Sequence, residues 1–140
     1  MKKILIAYDG SDNGRKALLK GKELAEKFLA DVIILYVVDD QLNRIYSHRQ
    51  TIPYTDRILQ KIGEEMIKDS LDYFKGYQGN VYPVTRTGNP AAVIIETAEE
   101  ENVDLVFMGS RGLSRVQKIL IGSVSNKVAN YSNISVVIVK

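Results

Sequence analysis

Ile4-Leu5-Ile6-Ala7-Tyr8-Asp9-Gly10-Ser11 is an unbroken apolar run that ends in an acid, a glycine and a hydroxyl. A strand with one wet face alternates apolar and polar side chains. A continuous apolar run instead suits burial on both faces, which parallel sheets covered by helices on each side create. Asp9-Gly10 then supplies a turn, and Ser11 supplies an N-cap. The following segment places Ala17, Leu18, Gly21, Leu24, Ala25 and Phe28 on one helical stripe. These eight residues therefore predict a central parallel strand feeding a helix.

Outward from this unit the same alternation recurs. Val32–Val38, Val81–Thr85, Leu105–Met108 and Val136–Val139 are further apolar, β-branched-rich runs. Leu59, Ile62, Met66, Ile67, Leu71 and Phe74 form a second helical stripe. Asn89-Pro90 starts a third helix as a cap followed by proline at the first position, with Ala91, Ile94, Ile95 and Ala98 facing inward. A fourth, shorter helix opens at Gly122-Ser123 and runs to about Ala129. The order βαβαβαβαβ predicts a single α/β domain over residues 1–140, an open doubly wound parallel sheet of Rossmann-like type with right-handed crossovers. Strand order 3-2-1-4-5 gives one topological switch point. Pro83 suits an edge strand, because it has no N–H for a ladder, and the fully apolar first strand suits the centre.

Composition narrows the chemistry. The chain has 140 residues, 45% apolar and 26% charged, with no cysteine and one histidine, His48. This excludes a disulfide scaffold, a thiolate metal site, a cysteine nucleophile and a multi-histidine metal centre. No apolar run reaches the ~20 residues needed to cross a bilayer. Met1-Lys2-Lys3-Ile4 enters the first strand directly, so neither a leader nor a membrane association is expected and the protein is expected in the cytoplasm. The net charge of +2 conceals an asymmetry: residues 1–104 sum to −3, while residues 105–140 carry five bases, no acid and a sum of +5. That C-terminal quarter suits a small anionic ligand. It lacks the long basic stripe expected of a protein that binds nucleic acid.

In an open α/β sheet, ligands bind at the carboxyl ends of the strands, beside the switch point. Met108-Gly109-Ser110-Arg111-Gly112 lies there after the fourth strand, and Gly122-Ser123-Val124-Ser125 follows Gly112 after nine intervening residues. Glycines let backbone N–H groups converge on a phosphate with no Cβ in the way. A helix beginning at Gly122 directs its free N–H groups and positive dipole end to the same place. Arg111, Arg115 and Lys118 lie on the connecting segment.

With this loop the chain resembles the universal stress protein family, in its ATP-binding branch, whose loop reads Gly-x-x-Gly, nine residues, Gly-Ser/Thr. The resemblance spans the chain, through Ile4–Ser11, Leu35-Tyr36-Val37-Val38-Asp39, Gly88-Asn89-Pro90, Gly109–Ser125 and Val136–Val139. Ala7 stands where relatives often carry proline, and Ser125 where threonine is frequent. The resemblance implies an ATP site, with Mg²⁺ held through the phosphates. In it Asp9 meets the ribose hydroxyls or, through water, the phosphate-bound Mg²⁺. The backbone of Val37 meets the adenine edge, and Ala7 and Met108 line an apolar slot. Gly109, Arg111, Gly112, Gly122, Ser123, Val124 and Ser125 surround the phosphates.

Other chemistries lack their residues. There is no Gly-x-x-x-x-Gly-Lys-Ser/Thr string, no Gly-x-Gly-x-x-Gly after the first strand and no Gly-x-Ser-x-Gly elbow. A response-regulator receiver domain needs a carboxylate pair after strand one and an aspartate after strand three; here strand three ends in Thr85-Arg86-Thr87-Gly88. No residue reads as a committed general base. The expected function is thus a nucleotide-dependent regulatory protein in the stress response, with at most slow ATP hydrolysis. The alternatives are an ATP-hydrolysing or self-phosphorylating enzyme using Ser123 or Ser125, and a chaperone-like scaffold stabilised by nucleotide. Val136–Val139 is an apolar edge in this topology and predicts a two-fold homodimer through the last strand.

Overall fold

In strand β1 (Lys3–Ala7), Ile4 and Ile6 are packed into one buried cluster and Leu5 into another. All three are fully buried, so both faces of this strand are covered, as its composition demands. The structure is a computed structural model and describes residues 1–40, 56–110 and 122–140. Among the described residues, β2 (Asp31–Asp39), β3 (Val81–Gly88), β4 (Leu105–Gly109) and β5 (Ser135–Val139) join β1 in one sheet. All neighbours are parallel and the order is β3-β2-β1-β4-β5. The switch point falls between β1 and β4, where Ile4 pairs with Val32 on one side and with Leu105 on the other. Pro83 lies in β3, an edge strand, opposite Ile34.

Helices α1 (Asp12–Phe28) and α2 (Asp56–Asp72) cover the face carrying Ile4, Ile6, Tyr8, Ile34 and Phe107. Helices α3 (Pro90–Glu100) and α4 (Ser123–Tyr131) cover the face carrying Leu5, Ile33, Leu35, Val106 and Met108. Two of the starts, those of α1 and α3, follow from side-chain caps. Ser11, extended at φ −71 and ψ 163, accepts the Gly14 N–H at 3.0 Å on its Oγ and caps α1. Asn89 accepts the Ala92 N–H at 3.1 Å and caps α3, with Pro90 in the first turn.

The inward stripe of α1 holds Ala17, Leu18 and Ala25 as expected, but Phe28 is 53% exposed. Beneath that last turn the Tyr77 hydroxyl donates to the Ala25 and Ala30 carbonyls, and its ring meets Phe74 edge-on at 5.7 Å. The aromatic filling of that corner therefore comes from beyond α2. The α2 stripe is also shallower than its period suggests, since Leu59, Ile62, Met66, Ile67 and Leu71 are half-buried.

Helix α1 ends on Leu29 in the left-handed conformation, φ 51 and ψ 42, with its N–H bonded to the Ala25 carbonyl. A leucine there is strained by about 1–2 kcal/mol, and this one is 61% exposed, so little packing holds it. Leu29→Gly is therefore expected to raise unfolding stability by about 0.5–1 kcal/mol, read as a higher urea midpoint at unchanged slope.

Candidate nucleotide site at the switch point

The carboxyl ends of β1, β2 and β4 bring three segments to one edge of the sheet. After β1 the Tyr8 N–H still donates to the Leu35 carbonyl at 2.9 Å, and Gly10 turns the chain at φ +83. No β-branched or bulky residue takes that turn without strain, and a Cβ there would stand 2.7 Å from Met66 Sδ. The Asp9 carboxylate accepts the Ser11 N–H at 2.9 Å and the Ser11 hydroxyl at 2.5 Å. It lies over Gly14, where a Cβ would be 2.8 Å from Asp9 Oδ1. Asp9 thus holds the mouth of α1 at the carboxyl-end edge of the sheet.

At the end of β2, Val37 pairs with Arg86 and packs partly on the α3–α4 face. The preceding Tyr36 faces Gly63 of α2. Burial first, and the Asp9 charge second, push the Tyr36 phenol above its ordinary pKa. Its neighbourhood with Asp9 was not legible in the sequence, since only the parallel pairing of β1 and β2 creates it. Ala7 and Met108 both lie on the α3–α4 side of the sheet, Ala7 half-buried and Met108 buried.

After β4 the chain runs tight against α1. A Cβ on Gly109 would meet the Asn13 carbonyl carbon at 2.7 Å. Ser110 comes next and is 5% exposed. Its N–H donates to the Val139 carbonyl at 2.8 Å, and its own carbonyl accepts the Gly122 N–H at 2.6 Å. The two described ends of the glycine-rich segment are therefore bonded to each other. Gly122, the N-cap of α4, has no side chain, so the N–H groups of the first turn carry no cap of the kind Ser11 and Asn89 give α1 and α3. Ser123 is exposed there, Val124 half-buried, and Ser125 3% exposed. The Ser125 hydroxyl is turned inward, donating to the Ser110 carbonyl at 3.1 Å and the Gly122 carbonyl at 3.0 Å.

The structure brings Ala7, Asp9, Val37, Met108, Gly109, Gly122, Ser123, Val124 and Ser125 to the strand-end edge, while Arg111 and Gly112 lie outside the described residues, as do Arg115, Lys118 and His48. Among the described residues there is no cluster of three or more His, Cys, Asp or Glu suited to a metal ion. Nor is any described helix long and apolar enough to cross a membrane. The sequence alone gives Asn13 and Ser110 no role; here Asn13 Nδ2 donates to the Ser110 hydroxyl at 3.0 Å.

A doubly wound α/β sheet with a glycine-bounded segment closing onto a helix start at its switch point defines a Rossmann-like fold. The family model described as the universal stress protein family matches residues 1–140, and the chain belongs to that family. Universal stress protein YxiE of Bacillus subtilis is 32% identical over 147 aligned residues, covering 99% of this chain and 98% of its own. The solved structure of MJ0577, a universal stress protein of Methanocaldococcus jannaschii, superposes with a TM-score of 0.83 at 30% identity, over 99% of this chain and 95% of that one. The same fold occurs in a universal stress protein solved with cAMP (TM-score 0.76, 24% identity, 99% and 97% covered) and in one from Archaeoglobus fulgidus solved with dAMP (0.74, 17%, 100% and 98%).

Proposed function

We propose that this chain binds ATP at the switch-point edge and acts as a nucleotide-dependent regulatory protein of the stress response. The observation that carries the reading is the start of α4. It has a side-chain-free cap, is hydrogen-bonded through Gly122 to Ser110, and lies beside a glycine that brings β4 against α1. Uncapped N–H groups at a helix start favour an anion, and the acid-free C-terminal quarter agrees in sign. That other members of the fold are solved with adenine nucleotides supports the adenine half.

In this reading the backbones of Gly109, Gly122, Ser123, Val124 and Ser125 face the phosphates, with Arg111 and Gly112 completing the segment. The Val37 backbone reads the adenine edge between Ala7 and Met108. Asp9 addresses the ribose or the cation, and Mg²⁺ would offset phosphate charge. No described side chain stands out as a general base, so turnover is expected below about one per minute, a barrier above roughly 20 kcal/mol.

Titration of ATP with Mg²⁺ by calorimetry tests the site. Gly122→Val is expected to weaken binding at least about tenfold with the circular dichroism unchanged, because a branched side chain would stand where the phosphates approach. Wild type failing to bind overturns the reading.

The expected homodimer belongs to the same proposal. β5 is a sheet edge whose Val136, Val137, Ile138 and Val139 are all half-buried, an apolar edge suited to pairing with its own copy. Light scattering at micromolar concentration is expected to give twice the chain mass of 15.7 kDa. A monomer would refute that assembly.

A further inference from the structure

Four hydrogen bonds meet at one buried residue that no binding role had claimed. Ser110 donates its N–H to Val139 of β5, and its carbonyl accepts from both the Gly122 N–H and the Ser125 hydroxyl. Its own hydroxyl accepts from Asn13 Nδ2 at 3.0 Å. The first extends the β4–β5 ladder by one residue, and the second and third close the neck of the glycine-rich segment, fixing where α4 begins. The fourth reaches the first turn of α1, the same turn whose cap the Asp9 carboxylate holds. The Asn13–Ser110 bond is thus a side-chain tie between the two halves of the site, the Asp9 turn and the α4 start, alongside the backbone contact of Gly109 with Asn13.

We propose that Asn13 and Ser110 are positioning residues of this site. Their hydrogen bond sets the separation between the Asp9 turn and the α4 N-terminus, and thereby the preference for a nucleoside triphosphate over the bare nucleoside. The inference rests on the ATP-binding reading. Its physical basis is that a ligand touching both halves gains from a fixed span only where its phosphates and its ribose are engaged together. Adenosine, lacking phosphates, engages one half. Both residues act through the backbone and carboxylate groups they hold in place. The Ser125 hydroxyl, with its single proton directed at backbone carbonyls, belongs to this clasp.

The test is a double-mutant cycle. ATP with Mg²⁺, and separately adenosine, are titrated into wild type, Asn13→Ala, Ser110→Ala and the double variant. Each single substitution is expected to weaken ATP binding about tenfold while adenosine changes less than about twofold, and the double variant to be no weaker than the worse single. Ser110→Ala keeps all three bonds that use backbone atoms of residue 110. Asn13→Ala removes one half-buried amide, so each single variant is expected to fold. A general loosening of the fold would weaken both ligands alike, and that result overturns the inference, as do unchanged ATP affinities or additive losses. Wild type that binds ATP with an unaltered ATP-to-adenosine ratio in both variants sinks this inference alone. Wild type that binds neither ligand sinks it together with the reading beneath it.

Discussion

Gly109→Ala is expected to lower the unfolding free energy by about 2–3 kcal/mol, roughly 8–10 °C in melting temperature. The backbone of Gly109 is not in the left-handed region, unlike Gly10, Gly76 and Gly88, so the cost is steric. An added Cβ would stand 2.7 Å from the Asn13 carbonyl carbon, 2.8 Å from its Cβ and 2.9 Å from its carbonyl oxygen. Two of those three atoms are backbone, which no rotamer change moves aside. The first turn of α1 must retreat as a unit, carrying the Ser11 cap and stretching the Asn13–Ser110 bond. Gly76→Ala is the control: nothing lies within 4 Å of its added Cβ, and only its φ of +82 costs, about 1 kcal/mol. Urea melts of the two variants against wild type distinguish a packing glycine from a turn glycine. A Gly109→Ala midpoint within error of wild type would show that α1 does not bear on β4 as described.

The fold was legible because burial on both faces writes itself into composition. Five residues of continuous apolarity at Ile4–Tyr8 admit few other environments, and Pro83 independently marks its strand as an edge. Caps were legible for the same reason, since Ser11 and Asn89 act on N–H groups three residues away. Of the candidate site, the close-packed Gly109 and the helix start at Gly122 were legible. Its side-chain ties were not. Asn13 and Ser110 are separated by 97 positions, and no periodicity or local chemistry links them. Phe28 shows the converse failure. Its period places it inward, but where the last turn of a helix passes the corner of a sheet, a residue from another element fills the space first.

Alkaline pH is expected to unfold this protein steeply, and Tyr8 is the residue that makes it so. Its ring is 2% exposed and its hydroxyl donates to the Asp69 carboxylate on α2. Burial foremost, then the hydrogen bond to Asp69 and that carboxylate's charge, push the phenol far above its usual value of 10.0; Arg15 opposes them. Burial likewise raises Tyr36, aided by Asp9, and Tyr77, aided by Asp31 and Glu26. A phenol whose folded pKa is raised contributes stability that is fully present below the unfolded pKa of about 10. Above it the unfolded chain releases the proton while the folded chain retains it, so stability falls at up to about 1.4 kcal/mol per pH unit for each such group. Tyr8→Phe is expected to begin about 1–3 kcal/mol less stable at pH 8, because a partly buried carboxylate loses its donor. Above pH 10 the variant then falls less steeply, by the contribution of one proton. The two stability curves therefore converge one to two pH units higher. Urea midpoints from pH 8 to 11.5, with tyrosinate absorbance followed in parallel, measure both slopes. Parallel curves would mean that the Tyr8 phenol ionises alike in the folded and unfolded chains, and the absence of an offset at pH 8 would mean that its bond to Asp69 does not hold α2 in place.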